Sequence, residues 1–331
     1  MYSTGGCTLA IQSMLTWIKC HGFNTVYAWR MSHRSFVSAA ILLGLDIIWL
    51  DKQQTLPSTV REKSALFITN IDYYGNVFPI EKLLEFSRNN PDAPILADNA
   101  HGAYQVFTPE VHPLRNGAWF VADSAHKSLP VLTGGAYIHM RNAENLPEIR
   151  ECAALFGSTS PSYLILESLD LCNVHIALQS RAAWSAFRAV GRFREELTKM
   201  GFALLETDSL LHVTINARVC GYTGEELADE LRLNGGEPEF ADENFLVLLF
   251  STVTSREDVL AAIEIFRKIP LLPSKKPVKT IFRQLETSPR SAYFSEPSEH
   301  SNFCNETSAD TKTAAVTESL RSVKCPPCVP V

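Results

Sequence analysis

Apolar residues recur at helical spacing from Thr8 to Lys19, where Leu9, Ile11, Met14, Leu15 and Ile18 mark one face. Ser35 to Leu43 repeats the pattern and stops at Gly44. Pro79 to Phe86 starts a third helix with a proline, which suits the first turn. Between them lie apolar runs too short for helices: Thr25–Trp29, Ile47–Leu50, Ala65–Thr69, Ile95–Ala97, Trp119–Ala122 and Ala136–His139. These read as strands. Strands alternating with helices predict an α/β layered domain with a mainly parallel sheet. Ligands of such sheets sit beyond the carboxyl ends of the strands. Asp98 and Asp123 directly follow two predicted strands and so stand where chemistry is expected.

The second half has another rhythm. Ser162 to Lys199 reads as one long helical stretch ended by Gly201. Leu211–Ile215 (strand), Gly224–Leu233 (helix), Phe245–Phe250 (strand) and Arg256–Lys268 (helix) predict a small α+β domain hung from that helix. From Pro270 onward Pro, Ser, Thr, Lys and Glu dominate, as in a linker and a partly ordered tail. The chain of 331 residues, at ~150 residues per domain, fits this division into residues 1–160, 161–270 and 271–331.

Composition adds exclusions. With 46% hydrophobic and 20% charged residues the chain is ordinary globular material. No apolar run approaches the ~20 residues of a membrane span, and no secretory signal opens the chain. A net charge of −6 disfavours nucleic acid as a partner and favours cationic small molecules. The 8 cysteines are scattered rather than framed as disulfides, which predicts reduced thiols in a cytoplasm. Cys325-Pro326-Pro327-Cys328 is formally C-x-x-C, but no second pair completes a zinc set, so no metal is expected. His21, His112, His139, His175, His212 and His300 lack metal spacing and read as structural or exposed.

Candidate chemistry gathers at element ends. Ser124-Ala125-His126-Lys127-Ser128-Leu129-Pro130 follows Asp123, and Asp98-Asn99-Ala100-His101-Gly102 follows an earlier strand. Ser3-Thr4-Gly5-Gly6 and Ser32-His33-Arg34-Ser35 each open a helix. Pyridoxal 5'-phosphate needs a lysine for its Schiff base, a carboxylate at its pyridine nitrogen, a phosphate cradle and a flat group on its ring. Lys127, Asp98, the helix opening at Ser3, Thr4 and Gly5, and His33 supply one each. Ser124 and His126, beside the lysine, would serve the phosphate.

The lysine run resembles that of the ornithine/lysine/arginine decarboxylases of bacterial type. So do Phe156-Gly157-Ser158-Thr159-Ser160-Pro161-Ser162-Tyr163, Ile71-Asp72-Tyr73-Tyr74-Gly75-Asn76 and Ser32-His33-Arg34-Ser35. The likeness spans approximately residues 2 to 270. It continues weakly through Ser291-Ala292-Tyr293-Phe294 and the Cys325–Pro330 run, which are similar to pieces of the family's C-terminal domain. It implies the fold of type-I pyridoxal-phosphate enzymes, the aspartate aminotransferase fold, for the major domain. It also implies that His101 lies near the ring hydroxyl, that His33 stacks on the ring, and that Lys127 or His126 returns a proton to the substrate. Thr159 and Ser160 would reach the phosphate of a second subunit in a homodimer or larger homo-oligomer. Glu239, in Gly236-Glu237-Pro238-Glu239-Phe240, would meet the distal cation of a basic amino acid. The expected activity is decarboxylation of arginine, lysine or ornithine to a polyamine or diamine.

Departures from the pattern are also present. The family's phosphate loop is preceded by an arm and a strand, whereas this sequence begins at Met1-Tyr2, and its C-terminal domain is partial. Asn99 stands where relatives carry a glutamate, and Cys328 where they carry a glycine. Two alternatives stay open on these grounds: another reaction on the same fold, such as an aminotransferase, and a shortened paralogue without turnover. An arginine on the substrate carboxylate would mark the aminotransferase.

Overall fold

The computed structural model describes residues 1–50 and 55–276. The chain runs β1 (Tyr2–Ser3), α1 (Gly6–Cys20), β2 (Thr25–Trp29), α2 (Arg34–Leu43), β3 (Asp46–Leu50), β4 (Ser64–Thr69), α3 (Ile80–Asn89) and β5 (Ile95–Asp98). Tight 3-10 turns between Ala103 and Asn116 lead to β6 (Phe120–Asp123), the short α4 (Ala125–Ser128), β7 (Ala136–Met140) and α5 (Leu146–Ala154). These strands form one 7-stranded sheet in the order β1-β7-β6-β5-β4-β2-β3. The strands from β3 to β6 are parallel, while β7 and β1 close one edge antiparallel.

Strand alternation builds two cores. Ala65, Phe67, Leu96, Phe120 and Ala122 point to the face covered by α1 and α2. Leu66, Ile68, Ile95, Ala97 and Val121 point to the other, against Leu83 and Phe86 of α3. Covering on both faces explains why these strands read as continuous apolar runs. The strand predicted over Ile95–Ala97 ends one residue later than the periodicity indicates, so Asp98 is itself the last residue of β5. Asp123 likewise closes β6.

The long helical stretch is two helices, α6 (Tyr163–Leu178) and α7 (Ser180–Lys199). Gln179 interrupts them at φ −113°, ψ 25°. The apolar stripes explain the break. Leu169 and Cys172 of α6 bury against Tyr137 of the large sheet. Ala183, Ala186, Phe187, Val190, Phe193 and Leu197 of α7 are buried, and most of this stripe packs in the core of a second sheet. One straight axis cannot serve both. That sheet, in the order β8 (His212–Asn216), β10 (Phe245–Leu249), β9 (Phe240–Ala241), is antiparallel, with α8 (Gly224–Leu233) and α9 (Arg256–Arg267) alongside. A reciprocal capping box starts α8, Thr223 accepting from the Glu226 N–H and Glu226 from the Thr223 N–H. Thr223→Ala is expected to cost about 1 kcal/mol, read as a small drop in the urea midpoint with an unchanged slope.

The two sheets are tied by the segment from Ile71 to Asn76. Ile71 joins the small sheet's core. The Tyr74 carbonyl accepts from Thr214, the Tyr74 hydroxyl donates to Asp242 at 2.6 Å, and the Gly75 carbonyl accepts from the Ser209 N–H. Gly75 adopts φ +95°, and a Cβ there would lie 2.8 Å from the His212 side chain. This contact brings the edge strand β9 over the carboxyl ends of β4, β5 and β6. Among the described residues no helix is long and apolar enough to cross a membrane, and no disulfide joins the cysteines. The Cys325–Cys328 pair, Ser291–Phe294, His300 and most of the 271–331 division lie outside the described residues.

Candidate active site

A cavity of about 200 Å³ opens where the sheet's parallel strands end. Its walls include His33, Asp98, His101, Ser124, His126 and Lys127, six of the residues singled out from the sequence. Asp98 enters as the last residue of β5, with its carboxylate buried and accepting the Ala100 N–H at 3.1 Å. Burial pushes this carboxyl above its ordinary value, and the charge of His33 when protonated, the Ala100 hydrogen bond, His101 and the Lys127 ammonium offset that only in part. Thr69, its register partner on β4, also lines the cavity, with a buried hydroxyl that has no hydrogen-bond partner. The cavity floor thus holds a carboxylate and a hydroxyl with unmet demand. A cationic, hydrogen-bonding ring meets that demand, so the residues fit pyridoxal phosphate.

Lys127 sits on α4, one turn past β6. Its Nζ lies 2.7 Å from His101 Nε2 and 3.0 Å from Glu239 Oε1, and Glu239 Oε1 lies 3.2 Å from the same imidazole nitrogen. Burial raises the Glu239 carboxyl, but the His101 hydrogen bond and the Lys127 charge outweigh it and hold it at about 2. Glu239 was expected at the far end of a substrate; here it touches the lysine itself. The turn carrying His101 depends on Gly102, where a Cβ would fall 1.9 Å from Asn99 Oδ1.

His33 serves two ends. It caps α2, its Nδ1 accepting from the Ser35 N–H, and it lines the cavity. Burial lowers its pKa, which favours the neutral ring. His126 Nδ1 lies 3.2 Å from the Gly135 carbonyl and 3.3 Å from the Ser124 hydroxyl. The carbonyl only accepts, so Nδ1 carries a proton.

Several predicted positions lie elsewhere. Ser3 donates to the Gly6 carbonyl from within β1, and neither it nor Thr4 or Gly5 lines the cavity. The helix opening that does so is Gly6-Cys7-Thr8, one to three residues further along. Gly6 already donates to Gly134, so the N–H groups of Cys7 and Thr8 are those this helix opening can offer to an anion. Ser3 and Thr4 line a separate hollow of about 500 Å³ with Gly157 and Ser158. Thr159 and Ser160 are exposed on the loop before α6, away from the cavity of their own chain.

Residues unnoticed in the sequence complete the site. Tyr73 sets its ring 5.3 Å from His101 and 5.1 Å from Phe240, with Lys127 Nζ 6.0 Å away. Its signal in the sequence is the Ile71–Asn76 run. His212, taken as structural or exposed, is fully buried with its ring edge-to-face on His101 at 5.3 Å. Burial, then the neighbouring His101, lowers it to about 3. His112 and His139, far apart in sequence, meet at Asp123, at 3.2 and 3.0 Å. Burial works against this carboxyl, but the two imidazoles hold it well below the ordinary carboxylate range. The Leu114 N–H donates to His112 Nδ1, which places the His112 proton on Nε2 facing Asp123. A ring so protonated offers no lone pair at Nε2, and the trio reads as a hydrogen-bonded cluster around Asp123 rather than a metal centre.

The parallel sheet, the lysine beyond β6 and the buried aspartate at the end of β5 define the fold of type-I pyridoxal-phosphate enzymes. The lysine decarboxylase LdcF of Francisella novicida superposes with a TM-score of 0.62 at 16% identity, over 81% of this chain and 48% of that one. Residues 49–203 match the Orn/Lys/Arg decarboxylase major domain. An uncharacterized protein of Bacillus subtilis, YaaO, is 26% identical over 278 residues, covering 75% of this chain and 57% of its own length. An arginine decarboxylase of Bacillus anthracis is 23% identical, covering 89% of this chain and 68% of its own. The chain thus resembles the Orn/Lys/Arg decarboxylases, through the match over residues 49–203 and the arginine decarboxylase relatives. It spans just over half the length of YaaO and about half of LdcF.

Proposed function

We propose that this chain is a pyridoxal-phosphate-dependent decarboxylase of a basic amino acid, arginine, lysine or ornithine, working in a cytoplasm. The observation that carries the reading is one cavity holding Lys127, with His101 and Glu239 at its amine, and the buried Asp98. The bound cofactor supplies a carbonyl carbon for an amine and a ring that takes up the electron pair released as carbon dioxide leaves. Asp98 would keep the ring nitrogen protonated. Cys7, Thr8, Ser124 and His126 would hold the phosphate, and His33 would cover the ring. Lys127 would hold the cofactor's carbonyl carbon and carry a proton within reach of Cα, with His126 Nε2 as the alternative carrier. Glu239 holds the distal cation. No arginine lines the cavity among the described residues. The carboxylate that must leave is therefore not anchored, which favours decarboxylation over amino transfer.

Added pyridoxal phosphate is expected to give a visible absorption band that Lys127→Ala loses and that borohydride fixes to Lys127 in the wild type. Carbon dioxide release from the three amino acids then ranks the substrates. A folded protein without the band sinks this reading.

The partner we propose is a second copy. The face of α6 leaves Tyr163 81%, Leu164 67%, Leu171 61% and Leu178 73% exposed. Such an apolar surface on a helix asks for cover, and Thr159 and Ser160 directly precede it, placed to reach the other copy's phosphate. Leu164→Glu with Leu171→Glu is expected to halve the mass measured by light scattering. The same variant is expected to weaken cofactor binding at least tenfold.

A further inference from the structure

Glu239 has one carboxylate and two claims on it. Resting on the reading above, a substrate's distal cation needs it, yet in the structure Lys127 already holds it at 3.0 Å. Neither side chain is free to drift. The Glu239 N–H is bonded to the Val247 carbonyl at the start of β9, and the carboxylate is also bound by His101. Lys127 stands on a short helix packed on the Ala103–Phe107 turn and β7, and its Ser128 carbonyl accepts from Thr252. Tyr73 and Phe240 wall the space around the pair, and the two side chains are only 24% and 27% exposed. A second cation brought to the same oxygen would face the lysine ammonium across a few ångströms, with little water to screen the repulsion.

We propose that Glu239 is a single cation subsite with two successive occupants: Lys127 in the cofactor-free chain, and the ligand's distal ammonium or guanidinium once Lys127 has reacted. Loading the cofactor releases the subsite. The lysine ammonium gives one proton to solvent, its nitrogen forms a C=N bond to the cofactor's carbonyl carbon, and one water leaves. The product nitrogen carries at most one N–H where the ammonium carried three, so Glu239 loses most of its hold on Lys127 and keeps the His101 contact. Binding is then ordered, with cofactor before substrate, and the empty chain does not sequester basic amino acids.

The test uses the full cofactor-free chain and n-butylguanidinium, titrated by calorimetry into the wild type, Lys127→Met and Lys127→Met/Glu239→Gln. Lys127→Met is expected to bind the probe at least tenfold more tightly than the wild type, and the double variant is expected to lose that gain. Lys127→Gln provides a second removal of the charge should the methionine variant not fold. Equal affinities for the wild type and both Lys127 variants overturn the proposal, as does a double variant that binds as tightly as Lys127→Met. Failure of the decarboxylase reading shows separately, as no carbon dioxide release. Release of carbon dioxide together with equal affinities overturns the shared subsite and places the substrate cation away from Glu239.

Discussion

Asp98→Asn is expected to reduce decarboxylation on the order of 10³-fold, the scale of losing one preorganised electrostatic partner of the reacting centre. The cause is local. The amide keeps the shape of the carboxylate, and its carbonyl oxygen can keep the Ala100 N–H contact, but it has no charge to hold a pyridine nitrogen protonated. The electron pair left at Cα then has a poorer acceptor. Affinity for the cofactor is expected to fall alongside the rate, seen as a weaker absorption band at equal cofactor concentration.

The same substitution is expected to stabilise the cofactor-free protein. Burial raises the Asp98 carboxyl above its unfolded value. The folded state therefore binds this proton more tightly than the unfolded state. Stability then falls as pH rises from the ordinary carboxylate range, about 3.9, through the raised value. The amide of the variant has no proton to lose and no such slope. Thermal midpoints of the two cofactor-free proteins should coincide near pH 4 and separate above it, with the variant the higher. Added cofactor should close the gap by restoring a cation beside Asp98 in the wild type. Equal slopes with pH would sink the claim that Asp98 is held at a cost to the fold.

Much of this site was legible because its residues sit at element ends. Periodicity located β5 and β6 to within a residue, and the Asp98 and Lys127 motifs follow them directly. Local pattern failed where distant segments meet. Nothing near Glu239 shows that β9 closes over Lys127, because that contact depends on how Tyr74 and Gly75 dock on the small sheet. His112 and His139 are separated by a whole strand and show no spacing; His139 reaches Asp123 because β7 pairs antiparallel with β6, and His112 reaches it from the 3-10 turns before β6. The start of the first helix differs from the pattern for another reason. Ser3 looks like a helix opening, but β1 pairing with Ala136 draws it into the sheet and delays the helix to Gly6. The split at Gln179 was invisible because its neighbours all favour helix, and only the change of buried partner forces the turn.

Asn99 was legible as a departure from the family and unreadable as to cause; the structure supplies the cause. Asn99 Nδ2 donates to Asp123 Oδ1 at 2.7 Å, and Asn99 Oδ1 accepts from Asn70 at 2.8 Å. Both Asn99 and Asp123 are buried. A carboxylate at position 99 would face a second buried carboxylate at hydrogen-bond distance. Asn99→Asp, of the same shape, is therefore expected to destabilise the cofactor-free protein by about 3–5 kcal/mol at neutral pH, the scale of breaking a buried charge arrangement. Asp123→Asn alone should also destabilise, since Asp123 is held well below the ordinary carboxylate range and its contribution is present at neutral pH and lost as pH falls. Combining the two substitutions reverses the pair: the amide now at position 123 donates to the carboxylate now at position 99, and its carbonyl oxygen still accepts from His112. The double variant should recover at least half of the loss from Asn99→Asp. Urea unfolding of the four proteins gives the coupling energy directly. A coupling near zero would mean that position 99 tolerates charge, and that Asn99 was free to vary without Asp123.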